Sequence, residues 1–172
     1  LGTITSDPNQ SHGTTVAGCA AGNGLANGTH MGVAPNTDII FVRTDFYAND
    51  WLSTVVDATE YIYNIADSIG KPCVINASVG NYLGSHDGLD PYALYIDSLI
   101  TSKSGRIFVA SAGNSGDWGE YHLHAEVNND TTFTWFKPNS VNPNPYLGSD
   151  YVFVEIWADT ADFNQVQYSM VA

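Results

Sequence analysis

Basic side chains are scarce in this chain of 172 residues. It has 5 Lys and Arg against 18 Asp and Glu, which gives a formal net charge of -13 at pH 7. Five cations cannot form the basic patch that binding to nucleic acid or to an anionic membrane surface requires. The charge therefore argues against both partner classes, whereas calcium or a cationic substrate is compatible with it.

Long apolar runs and a cysteine framework are also missing. No apolar run approaches the roughly 20 residues that cross a bilayer. Two cysteines are too few for a disulfide scaffold, and we predict that Cys19 and Cys73 are buried thiols. The sequence opens on Leu1 without Met and without a recognisable signal peptide, so we expect that an upstream portion has been removed. The composition, with 44% hydrophobic residues, is that of a globular protein.

Helical and apolar strand patterns alternate up to residue 116. Helices are predicted from His12 to Ala21, from a cap at Asn49 or Asp50 to Gly70, and from Asp90-Pro91 to Gly105; strands are predicted at 39–42, 73–75 and 107–110. Because the strands are apolar on both faces, the pattern indicates an α/β fold with a doubly wound parallel sheet covered on two sides. The first helix consists of small residues, which favours close approach of its backbone to a neighbouring segment.

Beyond Gly116 the pattern changes to a period of two. Alternating segments at 121–127, 133–135, 152–156 and 166–170 predict antiparallel strands of a β-sandwich. We therefore divide the chain into residues 1–116, the partial α/β domain, and residues 117–172, the start of a β-rich module. The aromatic side chains of this module fit a sandwich core better than a carbohydrate platform; they are Tyr121, Trp135, Phe136, Tyr151 and Trp157.

The candidate functional residues lie at the start of the first helix and after the ends of the strands. His12 lies where a helix begins. It is a candidate general base, and the alternative interpretation is a capping or surface residue. Open α/β sheets bind ligands beyond the carboxyl ends of their strands, where Asn81 and Asn114 are equal candidates for an amide donor or for a turn residue. His122 and His124 would share a strand face, and without a third ligand we interpret them as exposed strand residues rather than a metal site.

Four motifs resemble those of the subtilisin-like serine proteases, in the order found in that family. His12-Gly13-Thr14-Thr15-Val16-Ala17-Gly18 resembles the histidine motif, and Gly32-Val33-Ala34-Pro35 resembles the segment after it. The stretch 74–80, with the sequence V-I-N-A-S-V-G, resembles the strand that lines the substrate cleft. The stretch 109–114, with the sequence V-A-S-A-G-N, resembles the oxyanion segment. Any one of these motifs is weak, but the four together, over residues 11–116, are specific.

The resemblance implies a role for each matching residue. His12 would take the proton of a serine hydroxyl and return it to the leaving amine. Asn114 would donate its side-chain amide to the oxyanion. Ser78, Val79 and Gly80 would form one wall of the specificity pocket, and Ser111, Ala112 and Gly113 the other. Small residues on both walls leave room for a large apolar side chain of a polypeptide substrate.

The sequence departs from the family pattern at the other two triad positions. The family has an aspartate in a D-[ST]-G context before the histidine, and Asp7, beside Pro8, reads as a turn residue instead. The family's serine lies in a G-T-S-x-[AS] motif, which does not occur in residues 115–172. The chain therefore holds one triad member and the oxyanion donor. We expect it to be inactive by itself and to need the remainder of its own chain.

The position of the β-rich tail is similar to one branch of the family, the Csp-like spore-germination proteases. In that branch a jelly-roll domain is inserted between the oxyanion asparagine and the serine, and Ser85-His86-Asp87-Gly88 also looks like that branch. The resemblance implies an exported bacterial protein, extracellular or in the cell envelope, with no required cofactor and with calcium as a possible structural ion.

Three hypotheses follow from the sequence. The first is an internal fragment of a serine endopeptidase. The second is a relative whose triad has decayed and which binds a peptide or protein, although the intact His12 and Asn114 weigh against decay. The third and weakest makes the β-module a sugar-binding domain, which an exposed aromatic face would favour.

Overall fold

The computed structural model describes residues 11–26, 28–116, 122–128, 131–135 and 154–171. The chain divides into two compact units, which are Leu1–Gly80 with Pro91–Ser111, and Asn81–Asp90 with Ala112–Ala172. The elements, in chain order, are α1 (His12–Ala21), α2 (Trp51–Ser68), β1 (Cys73–Ala77), α3 (Pro91–Thr101), β2 (Arg106–Ala110) and a 3-10 helix, Phe163–Gln165. None of the described helices combines the length and the apolar character that a membrane span needs.

A parallel pair of strands is the centre of the first unit. β1 pairs with β2 in the register Cys73 to Arg106 through Ala77 to Ala110. α2 packs against β1, α3 packs against β2, and the two helices contact each other, so both cover the same face. The prediction is confirmed for α2, α3, β1 and β2 and for the parallel pairing, which brings the carboxyl ends of both strands to one edge.

The second face of this sheet differs from the prediction. Val74, Ile107 and Val109 are between 48% and 65% exposed, so within the described residues only one face is covered. The predicted strand at 39–42 is also wrong, because those residues form no ladder and the described sheet has two strands. Apolar residues in a short run do not make a strand without a neighbour to satisfy their backbone groups.

The core of this unit lies between α2 and β1. Asp50 caps α2 by accepting a hydrogen bond from the Ser53 backbone N–H at 3.4 Å, and Gly70 follows the helix with a φ of 67°. The buried positions of α2 recur at helical spacing and face Ile75 of β1; they are Thr59, Tyr63 and Ala66. The Thr59 hydroxyl donates to the Val55 carbonyl at 2.8 Å, which satisfies this polar group inside the core.

α1 is attached to the chain that follows it through backbone contacts. The N–H groups of Gly32, Val33 and Ala34 donate to the carbonyls of Gly22, Cys19 and Ala20 at 2.8 to 3.0 Å. A Cβ atom at Gly32 would lie 2.6 Å from the Gly18 oxygen and 2.7 Å from the Ala21 nitrogen. The close backbone approach that the small residues of α1 predict is thus found, with segment 32–34 as the neighbour.

Replacing Gly32 with alanine is expected to lower the free energy of unfolding by about 1–3 kcal/mol, because the added methyl overlaps backbone atoms that cannot rotate away. Gly18→Ala is the matched control within α1. A Cβ atom there meets nothing within 4 Å, and alanine is the better helix former, so we expect a gain of about 0.5–1 kcal/mol. Chemical denaturation measures both variants. Equal effects in the two variants would contradict the close approach at Gly32.

A cluster of charged side chains stabilises the same unit. Asp67 on α2 accepts from the Arg106 Nη2 at 2.6 Å and from the Lys103 Nζ at 2.9 Å, and the Arg106 guanidinium carbon lies 4.8 Å from the centre of the Tyr63 ring. These two hydrogen bonds hold the pKa of Asp67 below its ordinary value of 3.8, and the bond from Lys103 contributes most. Burial raises the pKa of Tyr63.

The lowered pKa makes the stability supplied by Asp67 dependent on pH. The contribution is present above the ordinary value of 3.8 and is lost as pH falls through the lower pKa of the folded state. Asp67→Asn should therefore unfold at lower denaturant concentration than the wild type at neutral pH, and this difference should shrink below about pH 4. Asp38→Asn, which removes a more exposed pair with Lys71, should have the smaller effect. A difference for Asp67→Asn that is the same at every pH would contradict the assignment.

The predicted sandwich is not seen in the described parts of the tail. Residues 122–128, 131–135 and 154–171 contain the 3-10 helix and no strand, and the other predicted strand residues lie outside the described part. Trp135 is 87% exposed and Trp157 is 58% exposed, so neither is packed in a core within the described residues. The described parts of the tail contain no sheet face that could cover them. Their exposure alone fits an uncovered core face as well as a carbohydrate platform, and Tyr121, Phe136 and Tyr151 lie outside the described residues.

Candidate active site

His12 is the first residue of α1 and its side chain is exposed. It lines an open groove of about 430 Å³ together with a row of residues on the same helix face and two residues from β1 and its end: Thr15, Val16, Cys19, Ala20, Asn76 and Ser78. The Ser11 side chain makes no cap hydrogen bond to α1. The first-turn N–H groups of a helix lack intrahelical acceptors, so they present partial positive charge beside this groove. The structure thus brings a histidine and the predicted cleft residue Ser78 to one surface.

The groove also contains residues that the sequence analysis did not single out. Thr15, Val16 and Cys19 follow His12 at the spacing of one helix face, so this periodicity could have identified them. Asn76 donates its side-chain amide to the Ser78 hydroxyl at 2.9 Å. Asn76 lies two residues before Ser78, on the same side of an extended strand, and this spacing could have identified it.

The two predicted pocket walls begin side by side where the strands end. The Ser111 N–H donates to the Ala77 carbonyl at 3.2 Å, and the Ser111 hydroxyl donates to the Val79 carbonyl at 3.1 Å. A Cβ atom at Gly80 would lie 3.9 Å from the Ser111 oxygen. Ser111 therefore lies directly beside the stretch 78–80, as two neighbouring parallel strands require.

The last three residues of the predicted oxyanion segment belong to the second unit; they are Ala112, Gly113 and Asn114. Gly113 has a φ of 91°, a conformation that favours glycine. The Asn114 backbone N–H donates to the Tyr82 hydroxyl at 2.8 Å, and the next residue, Ser115, is buried. The side-chain amide of Asn114 is exposed and makes no hydrogen bond to another described residue. His12 lies in the first unit.

Asn81 differs from Asn114 in how its side chain is used. The Asn81 carboxamide oxygen accepts from the Leu83 N–H at 2.9 Å, which is an Asx turn. The two asparagines were equal candidates on the residues alone. The turn bond gives Asn81 a local structural use, which favours Asn114 as the donor.

Both cysteines are free, but only one of them is partly buried. Cys73 is half-buried, and burial is the main cause that raises the pKa of its thiol. Cys19 is exposed, so the prediction of a buried thiol is wrong there. The reason is its position on the face of α1 that lines the open groove.

The histidines of the tail do not form the predicted strand face. His122 and His124 are exposed, as expected, but residues 122–128 are not a strand. The ring of His122 lies 4.3 Å from that of His86, centre to centre, in an edge-on arrangement. Over the described ranges, no group of three or more His, Cys, Asp or Glu side chains is arranged to hold a metal ion. Asp7 lies outside the described residues.

The comparison with known proteins is consistent with this arrangement of residues. The sequence model of the subtilase family matches residues 2–141, which includes His12, both strand ends and Asn114. No solved structure matches the chain. Because the match spans most of the sequence, the chain belongs to the subtilase family.

Proposed function

We propose that this chain is part of a serine endopeptidase in which His12 is the general base of an Asp-His-Ser triad and Asn114 is the oxyanion donor. Membership of the subtilase family indicates serine protease-type function in general. The observation that carries the finer proposal is the groove in which the exposed His12, at the N-terminus of α1, meets Asn76 and Ser78 at the end of β1.

The proposed chemistry assigns His12 two proton transfers. It takes the proton of the serine hydroxyl while the serine oxygen attacks the carbonyl carbon of the substrate, and it gives that proton to the amine when the carbon–nitrogen bond breaks. A water molecule then attacks the acyl-enzyme ester while His12 takes its proton; the ester bond breaks, the product leaves with a new carboxyl group, and His12 returns the proton to the serine oxygen. The serine and the aspartate come from the rest of the protein, since no segment of this chain has their motifs.

Asn114 supports the same reaction electrostatically. The carbonyl oxygen of the substrate gains negative charge as the tetrahedral intermediate forms, and a fixed amide donor lowers the energy of that state. The unpartnered side-chain amide of Asn114 in the described structure is the feature that supports this role.

The substrate is proposed to be a polypeptide that binds along Ser78, Val79 and Gly80. An extended peptide adds to exposed strand backbone by forming main-chain hydrogen bonds. Ser111, Ala112 and Gly113 would form the facing wall, and the small side chains on both walls would admit a large apolar side chain. The reaction needs no cofactor, and calcium is proposed only as a structural ion.

We further propose the Csp-like branch, with residues 117–172 as part of an inserted jelly-roll domain. Support comes from the alternating sequence pattern after Gly116 and from its place directly after the oxyanion segment. Subtilases are commonly secreted, and an exported location, extracellular or in the cell envelope of a bacterium, suits the net charge of -13. The complete coding sequence tests this: a D-[ST]-G motif should precede His12 and a G-T-S-x-[AS] motif should follow residue 172. Absence of the second motif would contradict the insert.

A fluorophosphonate probe tests the enzyme itself. In the full-length protein, the activated serine should displace fluoride from the phosphorus of the probe and become covalently labelled. Labelling should disappear when the protein is unfolded and should be slowed by excess unfolded polypeptide, which competes for the cleft. A folded and fully matured protein that is not labelled would instead support the second hypothesis, a peptide-binding relative without catalysis.

A further inference from the structure

Tyr82 makes two independent contacts with the oxyanion segment. Its hydroxyl accepts a hydrogen bond from the Asn114 backbone N–H at 2.8 Å. Its ring covers Gly113 so closely that a Cβ atom there would lie 2.5 Å from the Tyr82 oxygen and 3.1 Å from the ring carbon bearing it. Both contacts lie within the second unit. The side chain thus holds the turn that presents the Asn114 amide.

The loop that carries Tyr82 is fixed by further hydrogen bonds. The His86 Nε2 lies 3.1 Å from the Tyr82 carbonyl oxygen, and the Leu83 N–H donates to Asn81 at 2.9 Å. The Gly84 N–H donates to a carboxylate oxygen of Glu155 at 2.8 Å. A side chain anchored at its base in this way can fix the group that its tip contacts.

We propose that Tyr82 is a positioning residue for the oxyanion donor Asn114, an inference that rests on the proposed function. An oxyanion donor must lie within about 2.7–3.1 Å of the developing charge. The Asn114 carboxamide reaches that point through two side-chain torsions, so the position of its backbone decides where the amide lies. Gly113, with a φ of 91°, leaves this backbone little restraint of its own. The Tyr82 hydroxyl supplies the restraint at the residue that bears the donor.

Tyr82→Phe tests this role because it removes the hydrogen bond and keeps the ring against Gly113. In the full-length protein, we expect the limiting rate of fluorophosphonate labelling to fall about three- to tenfold, the effect of one neutral hydrogen bond, with the probe concentration at half-maximal rate unchanged. Tyr95→Phe is the matched control. It removes a tyrosine hydroxyl that donates to Glu60 between α2 and α3, and the labelling rate should stay at the wild-type value.

A double-mutant cycle separates positioning from a merely structural effect. If Tyr82 acts through Asn114, then Tyr82→Phe should change the rate less than about twofold in an Asn114→Ala background, because the donor is already gone. An equal loss in both backgrounds would overturn the inference, as would no loss in the wild-type background. If Asn114→Ala is labelled slowly but Tyr82→Phe is labelled at the wild-type rate, this inference alone is overturned. No labelling of the folded wild type overturns the proposed function as well.

Discussion

Replacing His12 with alanine in the full-length protein is expected to reduce the rate of fluorophosphonate labelling by about four to six orders of magnitude. A serine hydroxyl is a weak nucleophile at neutral pH, and without the imidazole no group takes its proton. The upper figure is the effect known for the histidine of subtilisin itself. Labelling measured over hours, with the protein shown to be folded, resolves a loss of this size.

His30→Ala is the control for the His12 variant. His30 is also an exposed histidine, and its Nδ1 lies 2.7 Å from the Thr29 hydroxyl oxygen, but it does not line the groove at the start of α1. Its removal should leave the labelling rate within about twofold of the wild type, as surface substitutions usually do. Full labelling of the His12 variant would mean that another group activates the serine. The assignment of His12, at the start of α1, as the general base would then be wrong.

Asn114→Ala should lower the limiting rate by about a hundred- to a thousandfold, the range known for the oxyanion asparagine of subtilisin, with little change in affinity for the probe. The amide interacts with charge that exists only in the transition state and its neighbouring intermediate, so its loss leaves the ground state unaffected. Labelling at several probe concentrations separates the limiting rate from the affinity.

Asn81→Ala decides between the two asparagines. Its carboxamide oxygen is engaged by the Leu83 N–H in the loop that carries Tyr82, so we expect a modest change in stability and a loss of limiting rate no larger than the about three- to tenfold expected for Tyr82→Phe. The opposite result, a large loss in the Asn81 variant and none in the Asn114 variant, would exchange their assignments.

The helices and the strand pair could be predicted because their signals are local. A cap at Asp50, a stop at Gly70 and the apolar runs at 73–75 and 107–110, which lie in β1 and β2, depend on residues close in sequence. The apolar run at 39–42 suits a strand equally well, but it pairs with no strand among the described residues. An apolar run in a sequence predicts a strand only when a neighbour supplies the ladder.

The residues of the candidate site also divide into those that the sequence predicts and those that it does not. His12 and Asn114 stand out in the sequence because their flanking motifs are specific, and the strand ends predict that Ser111 lies beside the stretch 78–80. Tyr82 carries no such signal. It contacts Asn114 across 32 positions of the chain, and nothing in the residues around it indicates that contact.

The attachment of α1 has a consequence for how its groove can vary. Main-chain bonds to residues 32–34 hold the last turns of this helix, and no side chain takes part in them. Thr15 and Cys19, on the groove face, can therefore be exchanged without loosening the helix from its support. Under the proposed function, substitutions at these two positions can alter which peptides fit beside His12. The anchor depends on the absence of a side chain at Gly32 but not on the side chains of the groove face.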